Sequence, residues 1–114
     1  MKFEDYYKWV PTAWRSKGSA VRTLSGRDDF IMTLGLAGEV GEVLEIIKKN
    51  ARANNESIEN LEAFKEEMGD VMYYWHMLCY RHNVSPEEIL DKNVDKINRR
   101  IALNQLTSVT RDKS

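Results

Sequence analysis

Glu39 and Glu42 stand three residues apart in "GLAGEVGEVLE", and Glu67 and Asp70 repeat that spacing in "EEMGDVMYY". On a helix, residues i and i+3 share a face about one turn apart, so each pair presents two carboxylates side by side. If the two segments are helices packed antiparallel, all four acids converge. Like charges gathered in a low-dielectric cleft repel, and they protonate or splay apart unless a cation holds them. Ligands that are all oxygen select hard cations, so Mg²⁺, or Mn²⁺ in its place, is the expected occupant. Taken alone, acidic i, i+3 pairs are ordinary solvated helix surface. These two differ in their surroundings: Val40, Val43 and Ile46 border the first, Tyr74 and Met77 the second. A di-iron bundle would want Glu-x-x-His. Here Tyr73 and Cys79 stand three residues before His76 and His82, so that site is not supported.

The elements that must position these acids read as helices. The segment from about 28 to 49 places Phe30, Leu34, Ala37, Gly41 and Leu44 on one face, with Leu36, Val40, Val43 and Ile47 beside it. It should be buried on most of its circumference. Gly35, Gly38 and Gly41 lie inside it, each costing about 1 kcal/mol relative to alanine. Small residues beside the acids let another helix or a ligand approach the backbone, and tertiary burial offsets the lost propensity. A polar "ARANNES" closes this helix, and Ser57 is placed to cap the next one, which runs through about His82. Its core stripe reads as Leu61, Phe64, Met68, Val71, Met72, Trp75, Leu78 and Cys79, with Glu67, Asp70, Tyr74 and Met77 opposite. A helix with two apolar faces needs two partners, and a second subunit can supply one.

On either side the chain is simpler. "FEDYYKWV" reads as a short helix stopped by Pro11, and residues 12 to 28 as loop. "SPEE" opens the last helix, with Ser85 as N-cap, Pro86 at the first position and Glu88 completing a capping box. Leu90, Val94, Ile97 and Ile101 form its apolar stripe. No segment reads as a strand. The expected fold is all-α, a helical bundle of about four helices completed by homo-oligomerisation. We expect a single domain over 1–106 and a flexible tail over 107–114.

Bulk properties narrow the function classes. A net charge of −1 gives no basic surplus for nucleic acid, and 42% hydrophobic with 31% charged residues describes a folded soluble chain. The lone Cys79 offers neither a disulfide framework nor a thiolate metal cluster. With no leader segment and no apolar run of spanning length, the expectation is a cytoplasmic protein with neither membrane nor nucleic-acid partner.

The two acidic motifs, glycines included, resemble the all-α nucleoside triphosphate pyrophosphohydrolases of the MazG-like group. Its relatives include dCTP pyrophosphatases, dimeric dUTPases and phosphoribosyl-ATP pyrophosphohydrolases. The resemblance runs from about Thr33 to Arg100. It implies that Glu39, Glu42, Glu67 and Asp70 are both the catalytic residues and the ligands of a Mg²⁺ that holds the triphosphate of a (d)NTP. The products would be the monophosphate and pyrophosphate. It also implies phosphate contacts from Asn93, Lys96 and Arg100, although the aromatic residue that usually follows that arginine is here Ile101. Without the resemblance, a basic helix C-terminus reads as dipole complement. Lys48, Lys49 and Arg52 read the same way or as phosphate-facing. Relatives draw base-contacting residues from the N-terminal segment, which points to Trp14 ahead of Trp9, although burial is the commoner fate of a tryptophan. His76 and His82 read as polar surface or caps. The expected assembly is a homodimer or a dimer of dimers with the nucleotide near the interface. The competing reading is a non-catalytic helical protein-interaction module whose acids are surface.

Overall fold

A computed structural model describes residues 1–16, 19–20, 24–54 and 58–112, with side chains at all of these except 15–16, 19–20 and 106–112. The chain forms two compact units, Met1–Asn83 and Val84–Ser114.

In the first unit, α1 (Phe3–Ala13) carries Phe3, Tyr6, Tyr7 and Val10 at helical spacing, and Val10 is fully buried. Pro11 does not stop it. The ring removes one hydrogen bond in the last turn, where little helix remains to lose, and the Thr12 hydroxyl donates to the Trp9 carbonyl. A two-residue antiparallel ladder follows, β1 (Arg15–Ser16) with β2 (Ser19–Ala20), the only strands among the described residues and absent from the sequence expectation. The fold remains all-α.

Helix α2 (Gly26–Arg52) starts earlier than its apolar periodicity suggests because Ser25 and Asp28 form a capping box. The Ser25 N–H donates to Asp28 Oδ2 at 2.7 Å, and the Trp14 indole N–H donates to Asp28 Oδ1 at 2.9 Å. Those bonds hold the Asp28 carboxyl below its usual range. Asn54, at φ 57°, takes the left-handed turn after α2, a conformation asparagine tolerates. Ser57 lies outside the described residues. Instead Asn60 caps α3 (Leu61–Arg81), accepting the Ala63 N–H at 3.2 Å.

Two contacts at opposite ends make α2 and α3 antiparallel. Near the connection, Asn50 Oδ1 accepts the Glu59 N–H at 3.0 Å. At the far end, Arg81 Nε lies 3.2 Å and His82 Nε2 3.3 Å from Asp29 Oδ1. The core between them is built from Val10, Trp14, Met32 and Met77, with Tyr6, Leu24, Tyr73, Tyr74 and Leu78 packed around it.

This core overturns two expectations. Helix α2 is not buried on most of its circumference: Met32 alone among its residues is buried, while Phe30, Leu34 and Leu44 are 72%, 69% and 62% exposed. On α3 the expected stripe is only partly inside: Cys79 is buried and Phe64, Val71, Trp75 and Leu78 are half-buried. Met77 is fully buried and Tyr74 half-buried, whereas Leu61, Met68 and Met72 are exposed. The aromatic start of the chain supplies the partner for the Tyr73–Tyr74–Met77 side, which apolar spacing within α3 could not reveal. Cys79 is buried as expected.

In the second unit, α4 (Pro86–Asp112) opens with the Ser85 hydroxyl accepting the Glu88 N–H at 3.4 Å and donating to Glu87. Leu90, Val94, Ile97 and Ile101 are all exposed along it. No helix among the described residues is long and apolar enough to cross a membrane.

Candidate carboxylate site

Antiparallel packing sets Glu39 of α2 opposite Glu67 and Asp70 of α3. One oxygen from each of the three lies within 4.8 Å of the others, with Glu39 and Glu67 half-buried and Asp70 exposed. The spacing of Glu67 and Asp70 puts both on the face turned to α2. Gly35, one turn before Glu39, allows this approach: a Cβ there would overlap the Tyr74 ring. Gly38 and Gly41 face open space, so their small size serves no contact among the described residues.

Crowding shows in the protonation of Glu39, whose carboxyl is pushed up to about 7. A hydrogen bond to Glu67 is the largest cause, then partial burial, then repulsion by Asp70, Glu67 and Glu42. Without a cation, the acids relieve their repulsion by holding a proton. A divalent cation could replace that proton, and the donor set suits a hard one.

Glu42 stands outside this trio. It is exposed and lines a groove of about 390 Å³ together with Glu67, Ile46, Lys49, Asn50, Glu59, Asn60 and Ala63. The quartet expected from spacing is therefore a tight trio plus one acid a turn away. Lys49 faces the same groove.

Both acidic pairs lie within residues 30–102, and over those residues the chain matches the MazG nucleotide pyrophosphohydrolase domain. The chain belongs to the MazG family. It is also 34% identical over 71 residues to the Gene 37 protein of Mycobacterium phage L5, across 60% of this chain and 62% of that protein. The chain thus spans less than two thirds of that relative's length. No solved structure matches. Membership in the MazG family accounts for the all-α architecture.

Trp14 is buried, its indole N–H on Asp28 and its ring stacked on Tyr73 at 6.3 Å, so it sits in the core rather than in an open cleft. Asn93, Lys96 and Arg100 are exposed on α4. His76 is not polar surface. It is buried, and its Nδ1 lies 2.8 Å from the Met72 carbonyl, which can only accept, so Nδ1 carries the proton. His82 is exposed and is the C-cap of α3.

Sequence reasoning passed over Tyr6. Burial, and then the Asp70 charge, push its phenol up. Its signal was the Phe3–Tyr6–Tyr7–Val10 stripe, an apolar face of α1 that needed a partner.

Proposed function

We propose that this protein is a Mg²⁺-dependent nucleoside triphosphate pyrophosphohydrolase, cleaving a (d)NTP to (d)NMP and pyrophosphate in the cytoplasm. The observation that carries this reading is the convergence of Glu39, Glu67 and Asp70, with Glu39 protonated near neutrality for want of a counter-charge. These three fit a hard cation by donor chemistry and would hold it. Mn²⁺ suits the same ligands. Bound there, the metal would supply neutralisation of the triphosphate and activation of water.

The chain's own residues do the rest. Glu42, facing the groove beside Glu67, takes a further ligand position or orients the attacking water. Lys49 places a positive charge on the same groove, suited to phosphate oxygens. Asn93, Lys96 and Arg100, spaced along one strip of α4, are the proposed phosphate contacts outside the first unit. Trp14 enters the reading as a candidate base contact from the N-terminal segment, and its buried position argues for an anchor instead. A homodimer or dimer of dimers is proposed because α2 carries Phe30, Leu34 and Leu44 exposed.

Released pyrophosphate from a panel of dNTPs, with and without Mg²⁺, tests the reading. Pyrophosphate and monophosphate appearing only with metal are the expected products. Diphosphate plus orthophosphate would reject cleavage between the α- and β-phosphates.

A further inference from the structure

The groove that adjoins the carboxylate trio runs from the acids toward the α2–α3 connection, and its two ends differ in charge. Glu42 and Glu67 line it beside the trio, and Lys49, Asn50 and Asn60 line it at the far end. Helical phase keeps the ends in line. Glu42, Ile46 and Lys49 follow one another at steps of four and three on α2, and Asn60, Ala63 and Glu67 at steps of three and four on α3. Each set therefore shares one face of its helix. Lys49 lies about 10 Å beyond Glu42 along the axis. Its flexible stem tilts toward the start of α2, as helical side chains do, and so back toward Glu42. This end of the groove is fixed by Asn50, which accepts the Glu59 N–H at 3.0 Å, and by Asn60, which caps α3.

Two features decide what the groove can take. Its described lining contains no aromatic side chain, so it offers no π-face on which a base could stack. That lining also sets three carboxylates, Glu42, Glu59 and Glu67, against a single cation, Lys49. None of the ion pairs among the described residues takes Lys49. Its ammonium thus brings positive charge to a space that would otherwise repel an anion.

We propose that Lys49 holds the γ-phosphate of the substrate and so sets a requirement for a triphosphate over a diphosphate. The inference rests on the reading of the acids as a metal–triphosphate site, and it adds the direction in which the triphosphate runs. The terminal phosphate points toward the α2–α3 connection. A diphosphate ends short of Lys49 and leaves its charge unused. Pyrophosphate carries the γ-phosphate away, so the same ammonium holds that product until it leaves.

The test counts phosphates without touching the acids. Binding of an α,β-imido dNTP and of the matching α,β-imido dNDP, both with Mg²⁺, is measured by calorimetry for wild type, Lys49→Met and Lys65→Met. Lys65, exposed and paired with Glu62 at 3.0 Å, controls for the loss of one positive charge. Wild type should prefer the triphosphate analogue by about tenfold or more, the scale of one charge-assisted hydrogen bond. Lys49→Met should weaken the triphosphate analogue about tenfold and the diphosphate analogue less than about twofold, whereas Lys65→Met should keep the preference. In turnover, inhibition by added pyrophosphate should weaken in Lys49→Met and inhibition by dNMP should not. A wild type without the preference, equal losses for both analogues in Lys49→Met, or a parallel loss in Lys65→Met would overturn the proposal. So would a preference that survives in Lys49→Met. Weaker dNMP inhibition in Lys49→Met would overturn it too, since the groove would then hold the nucleoside end. A wild type that neither releases pyrophosphate from dNTPs nor binds the triphosphate analogue would instead refute the hydrolase reading, a separate and recognisable failure.

Discussion

At the scale of single residues, Glu39 is the most informative group. Its carboxyl sits at about 7 in the folded protein against an ordinary 4.5. Between those values the native state holds a proton that the unfolded chain has released. The metal-free protein therefore has this contribution fully at low pH, loses it as pH rises through the window, and levels off above about 7. Mg²⁺ must displace that proton, so its affinity should rise with pH over the same range. Thermal melts in EDTA from about pH 5 to 8 should show the decline for wild type and a flatter profile for Glu39→Gln, the difference isolating this group. Identical slopes would mean that the acids do not interact. Activity should follow the same residues: Asp70→Asn is expected to lower kcat by at least about two orders of magnitude, read in a pyrophosphate-release assay. Full activity in that variant would remove Asp70 from the site.

At the scale of elements, the glycines of α2 separate two explanations that sequence alone merges. Gly35 touches Tyr74, whereas Gly38 faces open space. Gly35→Ala should destabilise by about 1–3 kcal/mol through overpacking. Gly38→Ala should stabilise by about 0.5–1 kcal/mol, since alanine is the better helix former and nothing obstructs it. Urea melts of the two variants should move in opposite directions, and a matching loss in both would place a neighbour over Gly38. The same contrast shows what sequence could reveal. Spacing within one helix announced Glu39, Glu67 and Asp70, because an i, i+3 repeat fixes a face. It did not separate Glu42 from them, since the interhelical register decides which of two acids on one helix meets the other helix. Nor did it tell which apolar face of α3 turns inward. That choice depends on the aromatic α1 and Trp14, partners distant in sequence whose contacts no periodicity records.

At the scale of the whole molecule, metal binding and self-association would act on stability together. A ligand that binds only the native state stabilises it by about 2.7 kcal/mol at a hundredfold excess over Kd, so excess Mg²⁺ should raise the melting temperature and EDTA should lower it. Self-association would add to this, and the surface of α2 is where it should be sought. Phe30, Leu34 and Leu44, with Ala37 and Gly41 between them, follow alternating steps of four and three residues, the repeat of a helix seam. Exposed apolar seams of this kind are uncommon on monomers and mark contact surfaces. Small residues in the middle of the stripe allow a close crossing, with the large side chains at either end closing over it. A second copy of the same helix is self-complementary in this respect, as a two-fold interface requires. Replacing Leu34 and Leu44 together by glutamate puts like charges on both sides of such a seam and leaves the carboxylate trio untouched. Sedimentation at micromolar concentration should show wild type as a dimer or larger and the double variant as a monomer. A monomeric wild type with full activity would show that one chain is sufficient for the site.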